Sequence, residues 1–137
     1  MEGSDATVRR LEDFESMSHG GMTMFRVRAG LDVRSFGMQV IRIPPHNESY
    51  PEHDHSEEGA GGKMFAQRPD QLGQEEVYIA LEGSGTLVAE GEEWRLEPGV
   101  FARVGPSQAR KIVTGDEELT ILALGGTPEQ AFQPAAL

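Results

Sequence analysis

From Phe25 onward the chain breaks into short apolar runs separated by turn residues. They are FRVRA (25–29), SFGMQVIRI (35–43), EEVYIAL (75–81), GTLVAE (85–90), EEWRL (92–96), VFARV (100–104), ARKIVT (109–114) and LTILAL (119–124). Val, Ile, Tyr, Phe and Trp dominate these runs, and several alternate apolar with polar residues, the period of a strand with one buried face. Gly, Pro, Asn or Asp punctuates the gaps. Gly91 marks a tight connection between two strands, Pro98 and Gly99 the turn before the next, and Pro44 and Pro45 end the strand before them because neither can donate to a ladder. The pattern predicts an all-β fold, an antiparallel sandwich or barrel. No 3.6-residue periodicity of helical length follows Met24, and no segment repeats.

Two stretches depart from this rhythm. Residues 1–22 are polar and carry the glycine pair Gly20 and Gly21, which predicts a weakly ordered arm or a partner-binding strand ahead of a single domain over 23–137. Residues 56–74, SEEGAGGKMFAQRPDQLGQ, are too long and too Gly-rich for a hairpin loop of about 2–5 residues, and read as an inserted loop, either a lid or a flexible segment.

Composition narrows the partners. The 137 residues carry a net charge of -11 with no local run of Lys or Arg, which opposes phosphate backbones and anionic membrane surfaces, so neither nucleic acid nor membrane is expected. There is no cysteine, which removes disulfides, thiolate metal sites and cysteine nucleophiles. The N-terminus lacks the apolar core of a signal peptide, and a cytoplasmic location is expected. Neither a phosphate-binding Gly-rich loop nor a Gly-x-Ser-x-Gly turn is present.

The chemistry concentrates in YPEHDHSEEG (50–59). His53 and His55 are two apart, and on a strand they project into one space. A third ligand is available in Glu76, which shares a strand face with Tyr78 and Ala80. Two imidazoles and a carboxylate make a facial triad suited to a divalent transition metal, iron(II), manganese or zinc, with nickel also open. Glu57 and Glu58 read as loop carboxylates.

Together HDH (53–55), EEVYIALEGSG (75–85) and LEPGVFARVGPSQARKI (96–112) resemble, in order, the two motifs of the cupin superfamily, small jelly-roll barrels, over roughly residues 35–124. The resemblance is closest to the small single-domain, cupin-2 conserved-barrel type. It implies a double-stranded β-helix and identifies Glu76, which precedes Gly83 at the family spacing, as the third ligand beside His53 and His55. There are two departures. The loop 56–74 is an insertion inside the first motif, which the logarithmic cost of loop length tolerates. At the family's fourth metal ligand stands Arg110, whose guanidinium has no lone pair for a metal.

Two arrangements follow. In one, His53, His55 and Glu76 hold the metal while Arg110 points at an anionic group of a small-molecule ligand, and the protein, if catalytic, is of dioxygenase, isomerase or lyase type. In the other, Arg110 replaces the metal charge, pairs with Glu76, and the barrel is a metal-free, non-enzymatic binder or sensor. Tyr78 is a candidate ligand contact in either. Trp94 and Phe101 read as core or interface residues, His19 and His46 as solvated. Residues Met38 and Gln39 face opposite ways, and the pattern leaves open whether Met38, Val40 and Arg42 or Ile41 and Ile43 line the barrel. The resemblance also implies a homodimer joined through sheet edges or the N-terminal segment.

Overall fold

The computed structural model describes residues 5–53, 73–129 and 131–132. Residues 1–4, His55, Glu57, Glu58 and 56–72 of the expected insertion lie outside the described residues. The alternating runs form strands of two antiparallel sheets. The larger has the order β1-β2-β3-β9-β4-β7, built from β1 (Ser16–His19), β2 (Met22–Phe25), β3 (Gly37–Ile43), β9 (Leu119–Gly126), β4 (Glu75–Gly83) and β7 (Phe101–Val104). The smaller has the order β6-β5-β8, from β6 (Glu92–Leu96), β5 (Gly85–Ala89) and β8 (Lys111–Val113). A single antiparallel bridge between His53 and Arg110 continues the β8 edge by one position.

Period-two alternation decides what each strand buries. Tyr78 and Ala80 on β4, Ile41 and Ile43 on β3, and Leu119, Ile121 and Ala123 on β9 face Leu87, Leu96 and Ile112 of the smaller sheet, and this is the main core. On β3 it is therefore Ile41 and Ile43 that line the interior. Met38 and Val40 face outward into a second cluster with Phe25, Val27, Leu11, Phe14, Leu31 and Leu122. Arg42, on that same outer face, lays its guanidinium over the Phe25 ring at 5.1 Å from the centroid.

The second cluster explains where the expected strand 25–29 went. Phe25 closes β2, and the chain then turns into α1 (Val27–Leu31), which ends on Asp32 in the left-handed region at φ 61°. Five residues are far too few to form a stable helix alone, and packing holds this one. Val27 is buried against the sheet, and the Phe14 ring, next to the 3-10 turn at Leu11–Asp13, covers Gly30 so closely that an added Cβ would lie 2.4 Å from it. Within the expected arm, β1 forms a hairpin with β2, exposed along its whole length, and His19 ends that strand in solvent.

Buried Asn47 fixes the approach to the histidine segment. Its amide donates to the Gly20 carbonyl at 2.7 Å, its backbone N–H donates to Thr114 Oγ1 at 2.8 Å, and the Thr114 N–H returns a bond to the Asn47 carbonyl at 3.2 Å. The β1–β2 turn, the end of β3 and the end of β8 are thereby tied together just before Tyr50. No helix among the described residues is long and apolar enough to cross a membrane.

Candidate functional site

The interior polar cluster is assembled from three places in the chain. Strand β4 supplies Glu76 and Tyr78, two apart and on one face. The end of β8 supplies Arg110, with Ile112 and Thr114 following inward at the same parity, all buried. The segment after β3 supplies Tyr50 and His53. Backbone pairing locks the last two sources together: the His53 N–H donates to the Arg110 carbonyl at 2.9 Å, and the Arg110 N–H donates to the His53 carbonyl at 2.8 Å.

Arg110 is fully buried, at 0% exposure. Nη2 donates to Glu76 Oε1 at 3.1 Å, Nε donates to the Tyr78 hydroxyl at 3.3 Å and Nη1 donates to the Gln108 carbonyl at 2.7 Å. The Tyr78 hydroxyl in turn donates to Glu76 Oε1 at 2.5 Å. A buried carboxylate needs a compensating charge and donors, and Glu76 receives both. Its side chain is 14% exposed, so the pair is nearly desolvated.

Burial, first of all, raises the Tyr50 and Tyr78 hydroxyls above the ordinary 10.0. For Tyr50 the Glu76 charge adds to the rise, while a hydrogen bond with Tyr78 and the Arg110 charge oppose it. For Tyr78, Tyr50 and Glu76 add to the rise and Arg110 opposes it. Both remain neutral phenols at pH 7, able to donate or accept but not to act as bases.

His53 stacks obliquely on Tyr50, with ring centroids 5.6 Å apart, and its Nδ1 lies 2.8 Å from the Pro51 carbonyl. A carbonyl can only accept, so Nδ1 carries a proton, and in the neutral ring Nε2 keeps the lone pair. That tautomer, fixed by a backbone carbonyl, is the one a metal-bound histidine adopts. In this respect His53 fits a metal. Glu76 fits less well, because its Oε1 already holds a guanidinium. Two unit charges about 4 Å apart at an effective dielectric of about 20 repel by about 4 kcal/mol, and a divalent ion doubles that. Among the described residues, no group of three or more His, Asp or Glu side chains is arranged to hold a metal ion. His55 lies outside the described residues.

Of the sequence-derived set, Glu76, Tyr78, Arg110 and His53 are brought together. Tyr50 and Gln108 are additions. Tyr50 precedes His53 on irregular backbone, where residue parity says nothing about direction, and Gln108 contributes a backbone carbonyl, which no side-chain pattern can signal. His46 is exposed in a turn at φ 55°, with Nε2 3.0 Å from Asp116 Oδ1.

Two antiparallel sheets enclosing an apolar core with a polar cluster at one end define a jelly-roll barrel. The fold is that of the cupin superfamily. No protein-family model and no curated protein sequence matches the chain, and the likeness is to solved structures. A cupin-superfamily sugar phosphate isomerase from Silicibacter pomeroyi superposes with a TM-score of 0.67 at 20% identity, over 88% of this chain and 75% of that one. A cupin 2 conserved barrel domain protein from Salinispora arenicola gives 0.66 at 18%, over 89% of each chain. A predicted oxalate decarboxylase from Thermotoga maritima gives 0.63 at 15%, over 88% of this chain and 99% of that one.

Proposed function

We propose that the protein is a cupin that binds a small anionic molecule in its barrel, with Arg110 as the cation that both neutralises Glu76 and receives the ligand. The observation that carries this reading is the buried guanidinium, which the resemblance to cupins aligns with a fourth ligand and which spends one N–H on each of Glu76, Tyr78 and Gln108. Its further N–H groups have no partner among the described residues and lie beside the neutral Tyr78 hydroxyl; both are buried, so a ligand oxygen would reach them only once the cluster opens. Two solved structures of similar fold bear names whose substrates, a sugar phosphate and oxalate, are anions, which supports the same ligand class here.

The test is thermal unfolding against a panel of sugar phosphates and small dicarboxylates. At least one should raise the midpoint of the wild type, and Arg110→Lys, which keeps the charge but loses the planar fork, should lose most of that rise. No shift with any anion, or an undiminished shift in Arg110→Lys, would count against the reading.

The His53 tautomer favours a second reading, in which His53, His55 and Glu76 hold a divalent metal and Glu76 exchanges the guanidinium for it. The metal would supply Lewis-acid chemistry to the bound anion. Elemental analysis after incubation with iron(II), manganese and zinc separates the two. The first reading expects less than stoichiometric metal, whereas stoichiometric metal that vanishes in His53→Ala would establish the second. Arg110→His should tighten metal binding in either case, because it restores a lone pair and removes a charge.

A homodimer is proposed through the exposed β1 edge, which leaves a row of backbone groups open to a second strand. Solution scattering giving a monomer mass would remove it.

A further inference from the structure

A cleft of about 400 Å³ opens between the edge strand of each sheet, beside the Arg110 cluster. Leu87, Trp94 and Leu96 of β5 and β6 form one wall, the inward-facing Ala102 and Val104 of β7 the other, and Gln108 the end, while Phe101 and Arg103, of the opposite parity on β7, lie at its rim. Trp94 sits across from Leu87 in the ladder, on the inward face of β6, yet is 46% exposed, and Phe101 is 71% exposed. No strand among the described residues closes the gap between β6 and β7, so two large aromatic surfaces stand in water at the mouth of one cavity. The volume falls within the usual range for small-molecule sites, and apolar side chains share the lining with a nearly equal polar surface.

Charge selects the occupant. In a chain of net charge -11 the cleft has, among the described residues, one charged lining residue, and it is a cation. Arg103 donates from Nε to Glu75 Oε1 at 2.8 Å, which holds its stem and leaves the two terminal nitrogens without a partner among the described residues. One of them, Nη1, reaches over Gly105, itself part of the lining, at 4.0 Å from where a Cβ would stand. A planar apolar body against Trp94, with an anionic group turned to the rim, meets an aromatic face and a guanidinium fork together.

We infer that the β6–β7 cleft is a second ligand site, adjoining the Arg110 cluster, that takes a small aromatic carboxylate. The cleft is also connected to that cluster, because the Gln108 carbonyl at its end accepts from Arg110 Nη1.

Trp94 is the one tryptophan of the chain, so the single indole N–H signal in a nitrogen-15 correlation spectrum reports this cleft directly. Titration with 1-naphthoate should move that signal saturably, and 1-naphthalenemethanol, equal in shape but uncharged, should bind roughly tenfold more weakly. Arg103→Gln, at an exposed position where folding is not at stake, should weaken naphthoate by a similar factor, and Phe101→Ala should weaken both compounds. The site is refuted by an indole signal that does not respond. Equal binding of acid and alcohol, or unchanged affinity in Arg103→Gln, refutes the anion preference. An indole signal that depends on protein concentration, with a doubled mass, would mean that a second copy fills the cleft instead. None of these outcomes depends on whether an anion or a metal binds at Arg110.

Discussion

Removing the Arg110 guanidinium while keeping bulk, as in Arg110→Met, strands the Glu76 carboxylate in the barrel and takes a donor from Tyr78. Breaking a buried pair from one side costs about 3–5 kcal/mol, so this variant should unfold at markedly lower urea, and adding Glu76→Gln should recover most of the loss. A double variant no more stable than Arg110→Met alone would mean that Glu76 is well solvated without its partner. The two tyrosines of the chain allow a second residue-scale prediction. Both hydroxyls are raised above 10.0 in the fold, so the native state holds their protons more tightly than the unfolded chain does. Their contribution to stability is complete below pH 10 and declines as pH climbs through the raised values. Phenolate absorbance of the folded protein should therefore stay flat where the unfolded chain's tyrosines already titrate and appear on unfolding, and Tyr78→Phe should flatten the alkaline loss of stability.

At the scale of elements, the join between β4 and β5 turns on one glycine. Gly83 has φ 79°, and a Cβ there would lie 1.8 Å from the Glu118 carbonyl oxygen on the chain leading into β9. Because the obstacle is backbone, it cannot swing aside. Gly83→Ala should cost at least about 2 kcal/mol in thermal or urea unfolding, more than the strain of the left-handed region alone. The glycine that belongs to the motif is thus explained by a close approach between β4 and β9, near the register shift between Ala80 and Glu82. Elements also mark where sequence patterning stops. Alternation placed Glu76, Tyr78 and Ala80 on one face of β4 correctly, because strand parity is a local property. Helix α1 was not legible, since Val27–Leu31 is too short to show a period and is held by Phe14 and the outer face of β2 and β3.

For the whole molecule, a charge of -11 on a small barrel means self-repulsion that salt relieves. Raising ionic strength from about 0.01 to 0.15 M shortens the Debye length from about 30 to 8 Å and should lift the thermal midpoint by about a few degrees in calorimetry. A fall would mean that the surface pairs Arg103–Glu75, Arg95–Glu97 and Arg26–Glu15 outweigh the net charge. The sequence by itself determined most of the strands and their alternation, which depend on local spacing, while the barrel and the reading of Arg110 at a metal-ligand position came from the resemblance to cupins. Only the tertiary structure decided which face of β3 turns inward, that Tyr50 joins the cluster, that Arg110 turns to Glu76, and that Trp94 and Phe101 share an open cleft. Those outcomes depend on how two sheets meet in space, and neighbours along the chain carry no record of it.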